Sequence, residues 1–409
     1  MLGILLLNII GFGLLSPAYS NPAFDVSVDA GTTLYTWASI ELLTEGAMRC
    51  LFSVLFGAGV MLFTTGTSAK SGWIHYKRTF WLLMFGLFNA YILLWNGDVL
   101  VTYALAGALL YLARNLSVRS LLSFTAALVL LVSAFYGVMS VGMKMAQEAH
   151  QELVAATDLS QVPAETRNLS RQWTDFVSDF ELSDEAASQE LAARQSSYGS
   201  AFVWNARKST EMITFVVPMF LFWDALMMMT LGMALYKNGT LQGERSNAFY
   251  IKLTVAGFAI GLITNSYEIN RAIQSHFDIF ATFAQMQPTY HVGRLGMAMG
   301  YLGVLVLITR TGVFKWLTGL LASVGRMALT NYLAQSLLCT LIFTGAGLGL
   351  VGEVARPQLY PIVLLIWVFQ IAFSHWWLKR FFYGPLEWLW RALTYGELPA
   401  FKRTGPASP

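Results

Sequence analysis

Charge is what this sequence has least of. Only 12% of its 409 residues are Asp, Glu, Lys or Arg, about half of the roughly 25% usual in a soluble globular chain. Hydrophobic residues make up 56%, and the mean hydropathy is +0.54. A soluble protein of this length would form two or three domains with polar surfaces, and too few polar residues are present to coat them. Disorder, coiled coil and nucleic-acid binding fit poorly for the same reason. Cysteine and histidine are also scarce. Cys50 and Cys339 both sit inside apolar runs and read as small core residues, not as a disulfide or redox pair. The five histidines are dispersed without HxxxH spacing, so no metal site is expected. No nucleophile elbow, P-loop or dinucleotide fingerprint occurs, and no cofactor is predicted. The class that remains is an all-α, polytopic transmembrane helix bundle with the lipid bilayer as its main partner.

A bilayer core requires about 20 apolar residues in a helix. Runs at 47–65, 79–96, 98–113, 120–142, 212–236, 249–267, 291–309, 316–343 and 360–379 approach or meet that length. Met1–Leu15 is a shorter tenth run, spanning only ~22 Å at about 1.5 Å per residue. Ala18-Tyr19-Ser20 resembles a signal-peptidase site, but no basic segment precedes the apolar stretch, which disfavours a signal peptide. Positive charge marks the cytoplasmic loops. Lys70, Lys77 and Arg78, then Arg114 and Arg119, then Lys237, Arg245 and Lys252, then Arg310 and Lys315, and finally the tail all fall on one side. Asp25, Asp29, Glu41 and Glu353 fall on the other. The pattern predicts ten membrane helices with both termini cytoplasmic. It divides the chain into a five-helix half at 1–142, an extracytoplasmic helical loop or cap at 143–210, and a second five-helix half at 211–409. The cap is acidic, with Asp175, Asp179, Glu181, Asp184, Glu185 and Glu190, and its Trp173, Phe176 and Phe180 share a helical face.

Polar side chains inside apolar spans cost a few kcal/mol unless they face protein or water, so they form the candidate site. Asn8, Asn89, Asp98, Asp224, Arg326, Thr330, Asn331 and Gln335 are the candidates for a polar cavity. Asp98 follows Gly97, which is expected to turn the chain sharply, and is equally well placed to cap the next helix. In one continuous helix Arg326 and Thr330 would share a face opposite Asn331 and Gln335, which puts that helix at the bundle centre. Glu45, Arg49, His291 and Arg294 are candidates for an outer mouth, with Glu45 and Arg49 spaced to pair as i,i+4. Asp224 has no partner that the sequence can name. Arg326, Glu387 and Arg391 are candidates for a cytoplasmic anion-facing group. Gly296 and Gly300 fit close helix packing.

The stretches Leu2–Ile9, Leu51–Gly59, Gly97–Leu100, Gly325–Leu333 and Gly384–Arg391 resemble the YeiB-like family of bacterial inner-membrane proteins, whose C-terminal half is domain of unknown function 418. The resemblance covers nearly the whole chain in order. It implies a membrane protein with possible transport activity and a distant relation to membrane acyltransferases that use a cytoplasmic acyl donor. The family usually begins with an Asp-x-x-Arg-Gly stretch, and this chain starts just after it, which implies a late start or a truncated record. Asn89 stands where the family commonly has His, and Asn8 stands where the acyltransferases have one. Asn cannot take a proton from an acceptor, so acyl transfer is weakened. Transport of a small polar or envelope-related solute is the leading expectation. An acyltransferase-like enzyme binding acyl-CoA and a non-catalytic scaffold are the alternatives. The substrate and the oligomeric state are not legible.

Overall fold

A computed structural model of the protein describes residues 1–25, 30–64, 72–178, 182–283 and 287–403. Asp29, Lys70, Asp179, Phe180 and Glu181 lie outside the described residues. Among those described, the chain is all-helical apart from one isolated bridge between Phe381 and Lys402. Among the described residues, six helices are long and apolar enough to cross a membrane: Gly31–Thr64, Val118–Ala155, Tyr198–Lys237, Asn247–Gln274, Tyr290–Thr311 and Arg356–Leu378. Three shorter apolar helices accompany them, Leu2–Gly13, Leu100–Ala113 and Ala328–Phe343.

The first half comprises α1 (Leu5–Gly13, continuing a short turn from Leu2), α2 (Ala30–Thr44), α3 (Ala47–Thr64), α4 (Gly72–Tyr91), α5 (Leu100–Ala113) and α6 (Val118–Ala155). The cap carries α7 (Ala164–Val177) and α8 (Asp184–Ser196). The second half comprises α9 (Tyr198–Glu211), a π-helical stretch over Met212–Leu221, α10 (Phe222–Lys237), α11 (Asn247–Gln274), α12 (Ile279–Thr282), α13 (Tyr290–Thr311), α14 (Lys315–Arg326), α15 (Ala328–Phe343), α16 (Arg356–Leu378) and α17 (Pro385–Tyr395). The π stretch contains Pro218, which lacks an N–H to donate and would clash with an ordinary α-helical turn.

Four expectations change. The segment read as a loop before residue 47 is helical as α2, because Trp37 buries its ring against Ala272 and Ala281. Helix α4 ends at Tyr91, not near 96, and residues 92–99 form a non-helical bridge to α5. Leu94, with φ 55°, supplies the left-handed residue of that bridge rather than Gly97. The run 316–343 is two helices broken at Met327, not one. The Trp173 and Phe176 face of α7 meets Phe280 and Phe283 beside the long extension of α6, which anchors the cap laterally.

Helices α11 and α13 approach through the expected glycines: a Cβ on Gly257 would lie 2.5 Å from the Gly300 nitrogen and one on Gly296 2.8 Å from the Gly261 nitrogen. Helices α3 and α10 touch as closely. A Cβ on Gly57 would run into the Met229 carbonyl. These two helices carry Arg49 and Asp224, so their spacing sets the geometry of the site. Gly57→Val is expected to destabilise the protein by about 1–3 kcal/mol through forced separation. Thermal unfolding in detergent would read it, and an unchanged midpoint would contradict the packing described.

Candidate functional site

Asp224 lies at the start of α10 and is 6% exposed. A carboxylate there is costly without counter-charge, and two guanidiniums supply it. Arg49 of α3 places Nε 3.4 Å from Oδ2, and Arg294 of α13 contacts Oδ1 through Nη2. Arg49 also donates from Nη2 to the Tyr290 hydroxyl at 2.6 Å, which in turn donates to Glu45 Oε1 at 3.4 Å. Glu45 and Arg49 are thus joined through Tyr290. Arg294 stacks over the Tyr290 ring at 4.7 Å. The residues expected at an outer mouth and the orphan Asp224 form one network.

His291 completes it. Its Nδ1 lies 2.7 Å from Arg294 Nη2. A guanidinium only donates, so Nδ1 accepts and the ring proton sits on Nε2. That buried Nε2 has no acceptor among the described residues. His291 is 8% exposed and lines a cavity of about 290 Å³ with Tyr136 and Lys144 of α6, Arg271 of α11, and Gln287 and Tyr290. Tyr136 stacks on the imidazole at 6.1 Å between ring centres.

Most of the other candidates are held in hydrogen bonds of their own. Asp98 accepts from Asn89 Nδ2 at 2.7 Å and from the Val101 backbone N–H at 2.8 Å, so it caps the entry to α5. The nearby void beside Trp95 and Asn96 measures only about 10 Å³, too small for a solute. Asn331 donates to Ser374 Oγ at 2.9 Å, Gln335 donates to Gln370 Oε1 at 2.9 Å, and Gln370 donates to the Asn331 carbonyl at 2.7 Å. That ladder ties α15 to α16. Asn8 is half-buried on α1, away from these hydrogen bonds.

Arg326 does not join the buried set. The break at Met327 leaves it exposed at the end of α14, donating to the Phe382 carbonyl at 3.4 Å. Glu387 accepts from the Thr330 backbone N–H at 3.0 Å and from its hydroxyl at 2.5 Å. It therefore caps α15, where free N–H groups and the helix dipole favour a carboxylate. Arg391 is exposed and stacks on Tyr383 at 4.4 Å instead of pairing with Glu387.

Burial raises the Glu387 carboxyl above its ordinary pKa, against the pull of its Thr330 hydrogen bonds. The folded state therefore holds this proton more tightly than the unfolded state. Stability is full below the unfolded value and falls as pH rises through the folded one. Glu387→Gln is expected to remove that decline while keeping the Thr330 contacts. Midpoints of unfolding measured from pH 4 to 8 would converge at low pH and separate at high pH, with wild type lower. Parallel curves would contradict this.

Two buried pairs escaped the sequence reading. Arg194 and Glu190 of α8 are only 5% and 4% exposed. Arg194 donates to the Gly11, Phe12 and Leu14 carbonyls at 2.9, 2.6 and 2.9 Å, and Glu190 accepts from Ser16. Arg356 donates to Asp25 Oδ2 at 2.6 Å. The i,i+4 spacing of Glu190 and Arg194 was the available signal, lost among ordinary cap charges.

The family model described as a protein of unknown function (DUF418) matches residues 235–397. The chain is 32% identical to the uncharacterized protein YeiB of Escherichia coli, with 99% of this chain and 96% of that protein aligned. It is 30% identical to the uncharacterized protein YxaH of Bacillus subtilis, covering 84% and 78% of the two. No solved structure matches. With YeiB this similar over nearly its full length, the chain belongs to the YeiB-like, DUF418 family.

Proposed function

We propose that this is a bacterial inner-membrane protein of ten membrane helices, with both termini cytoplasmic, that binds and transports a small polar or envelope-related solute. The cap end then faces outward. One observation carries the reading. A cavity of about 290 Å³ at the cap end has a polar wall, and His291 joins that wall to the buried Arg294–Asp224–Arg49 network. Ionisable groups at membrane depth mark solute or ion pathways. A scaffold that used polar groups only to hold helices together has no need of the cavity or of an unpartnered donor in its wall. Acyl transfer is less well supported, because Arg326, Glu387 and Arg391 are engaged separately and do not converge on one acyl-CoA site.

The test is solute flux into vesicles containing the purified protein. Ser140→Leu narrows the cavity from a half-buried position on α6. It is expected to lower flux at least about tenfold, roughly 1.4 kcal/mol on the barrier, with an unchanged unfolding midpoint. Flux absent across a broad solute panel, or unaltered by this variant, defeats the reading.

A further inference from the structure

The wall of this cavity is chemically one-sided. Lys144, Arg271 and His291, whose buried Nε2–H has no acceptor among the described residues, are all donors, and no carboxylate is among the described lining residues. Of the acids around it, Glu268 accepts from Thr289 at 2.6 Å, Asp224 lies between two arginines, and Glu45 accepts from the Tyr290 hydroxyl at 3.4 Å, its second oxygen buried without a donor among the described residues. His291 Nε2 is buried in a ring only 8% exposed. A buried N–H without an acceptor costs free energy comparable to a lost hydrogen bond, so this donor favours an acceptor beside it.

Helix α6 extends the same chemistry. Ser133, Gly137, Ser140 and Lys144 line the cavity at spacings of four, three and four, which places them on one helical face. Eleven residues at about 1.5 Å each make this a polar strip of ~16 Å. On either side, Leu130, Val138 and Val141 are 71, 74 and 60% exposed. A polar strip bordered by exposed apolar side chains suits a charged head entering from water or from the headgroup layer. Gln287 adds an oxygen, Oε1, with no donor among the described residues, able to accept from a hydroxyl beside the anion.

We propose that this cavity binds a phosphate-type oxyanion on a small hydroxylated group, carried by a free solute or by a lipid headgroup. The inference rests on the reading of this cavity as the solute site and adds the chemical class. The volume of about 290 Å³ falls just below the usual range of small-molecule sites and leaves room for a glycerol phosphate.

The experiment is titration of the purified full chain with sn-glycerol 3-phosphate and with glycerol. A parallel arm uses the protein in nanodiscs of phosphatidylcholine with or without phosphatidic acid, read by thermal shift. Lys144 is exposed and Arg271 half-buried, so Lys144→Gln/Arg271→Gln is expected to fold. The anionic probe in at least one arm should bind, glycerol should not, and the double variant should lose at least about tenfold in affinity, or the thermal shift. Binding in the first arm alone identifies a free solute, and in the second alone a headgroup. Equal binding of glycerol, unchanged binding by the double variant, or no anion binding in either arm overturns the proposal. Anion binding without flux of that solute defeats the transport reading and leaves the site. Flux of a neutral solute blocked by Ser140→Leu, without anion binding, defeats the oxyanion and leaves transport.

Discussion

Asp224→Asn is expected to destabilise the protein by about 3–5 kcal/mol, the usual result of stripping one partner from a buried ion pair. The substitution keeps the shape of the side chain and removes its charge. Arg294, 1% exposed, would then be a buried cation with only a neutral amide, the neutral His291 imidazole and the Tyr290 ring as company. Arg49 retains partial solvent contact, its side chain being 27% exposed, so most of the cost falls on Arg294. Adding Arg294→Gln should recover a large part of the loss, because replacing a buried pair by neutral groups is much less costly than breaking it. Unfolding midpoints of the two single variants and the double variant in detergent form the cycle. A loss below about 1 kcal/mol for Asp224→Asn, with no recovery in the double variant, would show that the network is not dry and that the charges are screened by water.

That network also shows where a sequence stops being informative. Helical periodicity relates residues within one helix, as it does His291 and Arg294 on α13. It has no access to the contacts among α3, α10 and α13, which bring Arg49 and Asp224 to the same point from distant parts of the chain. The apolar runs located the helices because bilayer thickness fixes the required length. They did not locate the break at Met327, since the feature that stabilises a new helix start there is Glu387, a side chain from α17. The same limit explains Asp98. Its cap role needed only the local residues and was among the alternatives read from sequence, whereas its bond from Asn89 crosses the turn between two helices. For α2, apolar content fell short of a span, and its helical state depends on Trp37 docking against α11 and the residues that follow it.

Arg194→Ala is expected to release the cap and to cost about 3–5 kcal/mol, because it leaves Glu190 buried without its cation and opens three carbonyls. Helix α1 ends in those carbonyls of Gly11, Phe12 and Leu14, which no further helical turn can satisfy. A guanidinium offers several donors in a fixed plane and meets the negative end of the helix dipole. Lys offers a point charge on a flexible stem, so Arg194→Lys should recover only part of the loss. Glu190→Gln/Arg194→Met removes both charges together and should be less destabilising than Arg194→Ala alone. The cap also holds the Gly345 N–H through the Arg194 carbonyl at 2.8 Å, a backbone contact that all three variants retain. Limited proteolysis of intact vesicles reads cap release directly. Faster cleavage within 143–210 in Arg194→Ala, with the lysine variant intermediate and the double variant near wild type, is the expected order. Equal cleavage in all four proteins would mean that the α7 contacts with Phe280 and Phe283 hold the cap without help from Arg194.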